Sequence, residues 1–372
     1  MGNTQAKYHH LIPQTYMSAW SNQAGTLNVE FLNAPGIIKP RNKENIAGIN
    51  DFHSIQAGMP LCTQSDTNKI FAVLSNYHVE INGVSVTDTL EMNKNYYDFE
   101  NWIITRNDGT AVSKKSIKSE IDKIKIKDIE ENWSTKYENH WGNLVTEIEN
   151  KILNASNTYI PSFNKDYLMK FFVALNWRGF RSNKQFEKTL ELLTKNILTQ
   201  IDIPFKEREL PCIKTAAEEI RHDLLLKFYR LFLEDKGVIY TWAETALKHT
   251  DFHFLIADGS VSFDTSDSPS FVFKRNDGTE QGIMPITPRI LLAQGKCTDK
   301  SDVYYISHIT NDAVQRYNEA IKNNATEFII HVLYISCTIS SISATMASPP
   351  GFPLVSVFKS ASFCSFLSRT AL

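Results

Sequence analysis

The sequence contains no G-x-x-x-x-G-K-[ST] phosphate loop, no G-x-G-x-x-G after a strand, no H-E-x-x-H and no G-x-S-x-G elbow. Each pattern exists because its chemistry needs a backbone cradle, a ligand pair or a strained nucleophile turn at that spacing. Their absence argues against the standard forms of nucleotide-triphosphate hydrolysis, dinucleotide redox chemistry, zincin proteolysis and α/β-hydrolase chemistry. Cysteine is scarce: Cys62, Cys212, Cys297, Cys337 and Cys364 are scattered, with no C-x-x-C. A disulfide framework and a cysteine-built zinc site are therefore not expected. An excess of one charge is missing too, since 39 basic and 41 acidic side chains leave a net charge of −2. Long-range steering toward nucleic acid or anionic lipid has no source in that balance. The first thirty residues hold no basic stretch followed by an apolar run. No secretory signal is read there, and a cytoplasmic location is the expectation.

Core-forming material is ample, with 42% of the 372 residues hydrophobic and 11% aromatic, enough for one large domain or two. Residues 1–110 read as loops and short strands, including Thr26–Leu32 and the extended stretch Tyr96–Thr105 before an Asn107-Asp108-Gly109 turn. From Ser116 the texture becomes helical: Lys and Glu are dense through Glu131, and apolar residues from Trp133 to Ile152 recur at three- and four-residue steps. Asp166–Asn196 continues as two helices broken near Gly179. Pro204 and Pro211 bracket a connector. Thr215 and Glu218 then have capping-box spacing, opening a helix with a stripe of Ile220, Leu224, Phe228 and Leu231 that stops at Gly237. The period next changes to two: Phe252, Phe254 and Ile256, an Asp258-Gly259 turn, and Val261 and Phe263 predict a hairpin. Ser270–Lys274, an Asn276-Asp277-Gly278 turn and an extended Gly282–Leu292 follow, before a last helix over Asp312–Phe328. The expected architecture is α+β, a helical middle flanked by antiparallel β-strands, with a C-terminal hairpin region.

The last residues differ in character. From Val332 to Leu372 there are ten serines and only Lys359 and Arg369 as charges. The stretch Phe328–Ala347 is long enough to cross a ~30 Å hydrocarbon core, but its serines and threonines make it a poor span. Residues 332–372 are read as an atypical extension outside the folded unit, and residues 1–331 as one α+β domain in which 59–108 is a candidate insertion.

Three clusters carry chemistry-bearing side chains. His9-His10-Leu11-Ile12-Pro13-Gln14-Thr15-Tyr16 brings two imidazoles, an amide and a phenol into one short segment, suited to proton exchange near neutral pH. Capping and buried hydrogen bonding use the same groups. Phe263-Asp264-Thr265-Ser266-Asp267-Ser268-Pro269-Ser270 places carboxylates and hydroxyls where they could bind a hard cation or orient water. Asx-turns and serine turns draw on the same residues. Asn176-Trp177-Arg178-Gly179-Phe180-Arg181 offers two arginines for gripping an anion, or for a surface ion pair. Asp51-x-His53, His78-x-Glu80 and His222-Asp223 add further acid–base or ligand pairs.

In that order, the N-terminal His-His motif, Phe171-Phe172-Val173-Ala174-Leu175-Asn176-Trp177-Arg178, Asp264–Pro269, Pro285-Ile286-Thr287-Pro288-Arg289 and Val314-Gln315-Arg316-Tyr317-Asn318 resemble the bacterial domain-of-unknown-function family 4238 over about residues 7–331. Residues from about Met59 to Asp108 depart from its pattern, Phe52-His53 stands where that family has an aromatic pair, and the tail lies outside it. The resemblance implies His10, Gln14, Arg178, Asp267 and Asn318 as site residues.

Two functions fit these residues. One is a metal-assisted hydrolase acting on phosphodiester or nucleic-acid substrates. In it His10 is the general acid or base and Asp267 holds a divalent metal together with His10. Arg178, Gln14 and Asn318 bind substrate. The other is a non-enzymatic binding or regulatory protein of a stress or phage-response locus, with a protein or nucleic acid as partner.

Overall fold

In the computed structural model, residues 7–110, 112–181, 201–275, 278–296 and 302–332 are described. Ten α-helices are used below: α1 Gln14–Met17, α2 Gln64–Ile70, α3 Thr89–Lys94, α4 Lys114–Lys123, α5 Asp128–Trp133, α6 Asn139–Leu153, α7 Lys165–Arg178, α8 Ala216–Leu233, α9 Gly237–His249 and α10 Asn311–Asn324. A π-turn, Ser134–Glu138, joins α5 to α6. Helix α6 buries Trp141, Leu144, Ile148 and Ile152, the three- and four-residue recurrence that its sequence predicts. Helix α7 is different. Seven of its residues, Leu168, Met169, Phe171, Phe172, Val173, Ala174 and Leu175, are buried on every side, as for a helix surrounded by other elements rather than lying on the surface. Phe171 stacks on Trp141 with ring centroids 4.0 Å apart. The helix ends where expected, at Arg178, with Gly179 as its C-cap.

The strands form four sheets. In chain order they are β1 Tyr8–His10, β2 Thr26–Phe31, β3 Ile38–Asn42, β4 Gly48–Asn50, β5 Tyr77–Ile81, β6 Val84–Ser85, β7 Ile103–Arg106, β8 Tyr159–Pro161, β9 Thr250–Ala257, β10 Thr265–Ser266, β11 Phe271–Lys274, β12 Glu280–Thr287, β13 Ile290–Lys296, β14 Val303–Ile309 and β15 Phe328–His331. The largest sheet has the order β11-β12-β13-β9-β14-β8. All its pairs are antiparallel except β9 with β14. The order β10-β15-β2-β3 makes a second sheet, β6-β5-β7 a third, and β1 pairs with β4. The chain is thus α+β, with a helical middle between β-rich flanks.

Several local expectations are corrected. The hairpin predicted after Ile256 does not form: β9 has both edges filled, by β13 and β14, so no edge is left for Val261 and Phe263. The chain turns instead against the start of α10. Val261 N–H donates to Asn311 Oδ1 at 3.2 Å, and a side chain at Gly259 would collide with that same Asn311. The hairpins of this region are β11–β12 and β12–β13, so Gly282–Leu292 is the end of one strand, a turn and the start of another. Tyr96–Asn101 coils as 3-10 turns and only Ile103–Arg106 is extended, because Phe99 and Trp102 pack together with centroids 5.0 Å apart. The Thr215–Glu218 capping box is present, but the buried stripe of α8 runs one position later than predicted, through Leu225, Leu226, Tyr229 and Phe232, and Ile220 is exposed. Helix α8 ends at Leu233, before Gly237, as its sequence predicts, but Gly237, with a φ of 80°, also opens α9, which no sequence signal marked. The second half of Asp166–Asn196, the Asn276-Asp277 turn and the tail beyond Val332 lie outside the described residues.

Phe328–His331, the start of the stretch weighed as a membrane span, is a strand paired with β2 and β10. No helix among the described residues is long and apolar enough to cross a membrane. His331 closes this sheet electrostatically: its Nε2 lies 3.0 Å from Glu30 Oε2 and its Nδ1 3.1 Å from Asp264 Oδ1. Burial works against the imidazolium, but the two carboxylates outweigh it and raise the His331 pKa.

The stabilisation from His331 is fully present below the unfolded pKa near ~6.5 and is lost as pH rises through the raised folded value. The gap in urea midpoint between wild type and His331→Gln therefore narrows from pH ~6 to pH ~9; a constant gap contradicts this. Gly48 lets β4 approach β1, since a Cβ there would sit 2.6 Å from the Tyr8 ring and 2.7 Å from the His9 carbonyl oxygen. Gly48→Ala is expected to destabilise by ~1–3 kcal/mol through overpacking, read by thermal or urea unfolding.

Candidate functional site

Consecutive residues of a strand face opposite ways, and this decides which N-terminal histidine enters the interior. In β1 the pattern is half-buried, buried, half-buried, so His9 points inward while Tyr8 and His10 lie at the solvent edge. His9 Nδ1 accepts the main-chain N–H of His53 at 2.9 Å, and the two rings stack with centroids 5.7 Å apart. His53 is carried by a tight turn after β4, where Asp51 takes a left-handed φ of 55°, a conformation aspartate tolerates better than most residues. The turn is braced from α8: His222 Nε2–H donates to the Phe52 carbonyl at 2.8 Å, and the Tyr229 ring meets the His53 ring edge-on.

Glu130 on α5 completes the cluster. Its Oε1 accepts from His53 Nδ1 and lies 3.4 Å from Arg178 Nη2. Arg178, at the end of the buried helix α7, also donates from Nη2 to the His10 carbonyl. Its Nη1 lies 3.6 Å from Glu138 of the π-turn, and its guanidinium covers the Trp133 ring at 4.2 Å. Hydrogen bonds do not saturate it: Nε and Nη1 have none among the described residues. One ligand-capable atom each from His9, His53 and Glu130 lies within 4.8 Å of the others.

The electrostatics follow from burial. His53 is fully buried, and desolvation lowers its pKa, against the pull of Glu130. Burial alone would raise Glu130, but His53 and Arg178 outweigh it and hold the carboxyl below its usual range. Glu138 is raised, by burial first, with Arg178 opposing. Glu130 is the exit to solvent, its side chain 22% exposed against 4% for Arg178. Behind them a cavity lined by Trp133, Trp177, Arg178, Tyr229 and Phe232 has only about 10 Å³ of free room, the lower limit for a single water.

Of the residues predicted from the sequence, Arg178, His10 and Gln14 come together. Gln14 Nε2 lies 3.3–3.4 Å from the ring nitrogens of His10. His10 lies close enough to feel the charges of Glu130 and Arg178, though burial is what mainly lowers its pKa. Asp267 and Asn318 belong to a different network. The Asp267 carboxylate accepts the N–H groups of Thr326, at 3.0 and 3.2 Å, and of Glu327, and burial raises its pKa to about 6. Asn318 receives the Asp264 N–H at 3.0 Å and donates to the Ser262 carbonyl at 2.8 Å. Among the described residues Asp267 and His10 share no hydrogen-bond partner, and the group found close enough to hold a metal ion is His9, His53 and Glu130 rather than His10 with Asp267. His78 and Glu80 pair with each other on β5, both part-exposed.

The same geometry explains the order of the motifs. Tyr16 OH bonds Thr265 Oγ1 at 2.9 Å and donates to the Pro285 carbonyl at 2.7 Å, and Trp20 Nε1 donates to the Phe263 carbonyl at 2.9 Å. Asn176 Nδ2 reaches the Ser270 carbonyl, and Arg181 the carbonyls of Asn323 and Asn324. These distant segments form one junction, buried at Tyr16 and Trp20 and reaching the surface at Arg181.

Removing Arg178 leaves Glu130 and Glu138 facing each other without a cation in a buried site. Arg178→Ala is expected to destabilise by ~3–5 kcal/mol, with Arg178→Lys between it and wild type because lysine keeps the charge and loses the planar stack on Trp133. Urea denaturation checks this, and an unchanged midpoint for Arg178→Ala contradicts it.

No curated protein and no solved structure matches the chain. The family described as proteins of unknown function, DUF4238, matches residues 8–332, which takes in β1 with His9, His53, Glu130, Arg178 and the whole motif junction. The chain belongs to that family.

Proposed function

We propose that the protein is a hydrolase of phosphodiester bonds in nucleic acid or a related anionic substrate, run from the cluster of His53, Glu130 and Arg178. One observation carries the reading: an imidazole oriented by a carboxylate stands beside a buried guanidinium with hydrogen-bond donors left over. A base held by a carboxylate is the arrangement that draws a proton from water, and unspent guanidinium donors suit a developing phosphoryl charge. His10 and Gln14 stand at the solvent edge, where substrate would meet the protein. Asp267 and Asn318 hold the scaffold rather than the substrate in this reading.

The small cavity favours a second reading. With room for no more than one water beside Arg178, the cluster also suits a non-enzymatic protein whose polar core fixes the docking of β1, α5 and α7.

One assay separates the two. Purified full-length protein is incubated with RNA, DNA and bis(p-nitrophenyl) phosphate, with Mg²⁺, Mn²⁺ or Zn²⁺ supplied. Hydrolysis that falls ~100-fold or more in Glu130→Gln supports the enzyme. Intact substrates under all three ions, with one stoichiometric protein partner co-purifying from cells, support the binding protein.

A further inference from the structure

We infer that His9, His53 and Glu130 bind one divalent transition-metal ion of the zinc, iron(II) or cobalt(II) type. The three residues come from β1, the turn after β4 and α5, and their ligand-capable atoms lie within 4.8 Å of one another. Ligands about 2.1 Å from a common ion stand roughly 3.4 Å apart in a tetrahedron. Side-chain adjustments on the order of 1 Å therefore convert the present arrangement into a coordination sphere. Two imidazoles and a carboxylate favour a borderline ion over calcium or magnesium, which prefer all-oxygen shells.

The surroundings fit such an ion. His9 Nδ1 accepts the His53 N–H at 2.9 Å, so the ring is oriented before anything binds and Nε2 is the nitrogen it can offer to an ion. His53 is wholly buried, and its Nε2 has no hydrogen-bond partner among the described residues; with Nδ1–H given to Glu130, Nε2 carries the free lone pair. When Glu130 turns to the ion, Arg178 keeps Glu138, 3.6 Å from its Nη1, and stays neutralised. With its pKa lowered by burial, His53 is a neutral imidazole that can offer the lone pair of Nε2 without losing its Nδ1 proton, and Glu130 is already a carboxylate, so loading exchanges a hydrogen bond for a metal bond. Glu130, 22% exposed, is the side on which the ion enters, leaving the fourth position for water.

The test uses full-length protein dialysed against Co²⁺, with bound metal counted by elemental analysis and coordination read from the visible absorption of Co²⁺. The expected result is one ion per chain, displaced by Zn²⁺. Affinity is expected to fall by at least ~10-fold in Glu130→Gln and in His53→Ala, and to be unchanged in His78→Ala. Circular dichroism accompanies each variant; should His53→Ala fail to fold, Glu130→Gln, which keeps the shape of the side chain, decides alone. Wild type without a stoichiometric ion, or Glu130→Gln binding as tightly as wild type, overturns the site. The inference does not depend on hydrolysis: a loaded protein that leaves nucleic acid intact keeps the metal site and removes the hydrolase, and cleavage without a bound ion does the reverse.

Discussion

A guanidinium at the end of a helix surrounded by core is the constraint around which the middle of this fold is arranged. The second half of helix α7 is buried on every side, through Leu168, Met169, residues 171–175 and Trp177, so the charge of Arg178 at its end arrives inside the protein. A buried cation needs partners, and they come from three directions: Glu130 from α5, Glu138 from the π-turn and the His10 carbonyl from β1. The π-turn between α5 and α6 widens the helix where Glu138 and Trp133 close around the guanidinium, and such turns recur at functional positions in helices. Once Glu130 is placed, it orients His53, and the His53 backbone orients His9. The candidate site is therefore the electrostatic completion of one helix end.

The second organising contact is the junction of motifs. A reader of the sequence meets a tyrosine near the start, a Thr-Ser-Asp-Ser-Pro run near residue 265 and a proline pair near residue 285 as separate signals. In the structure a single phenol joins them, because Tyr16 OH satisfies Thr265 and the Pro285 carbonyl together. Buried polar groups need such partners, and a network this connected specifies one docking of the N-terminal segment on the C-terminal sheets. That role accounts for Asp267 and Asn318, whose side chains hold main-chain groups of the turn before β15 and of the loop before β10. It separates them from the cluster around Arg178, although the sequence presents all of them as polar residues in family motifs.

How much was legible depended on whether a signal was local. The Thr215 capping box, the end of α7 at Gly179 and the periodicity of α6 rest on neighbours within one or two turns, and they stand. The hairpin after Ile256 failed because its alternation was real but the edge it needed was taken by β13 and β14. Within the site, His53 carried a faint mark as part of Asp51-x-His53. Glu130 carried none, being one carboxylate in a run dense with Lys and Glu. Which of His9 and His10 points inward was not legible, because alternation along a strand gives opposite faces without saying which one the core covers.

By itself the sequence determined the class of fold, the family, the helices α6, α7 and α8 and the presence of Arg178 at the end of α7, because capping, period and composition act over a few residues. Tertiary structure decided which imidazole is inside, which of many carboxylates neutralises the arginine and which main-chain groups the other motif residues hold. Those choices depend on burial and on contacts between segments 40 to 170 residues apart, where the free energy of pairing a desolvated charge outweighs any local preference.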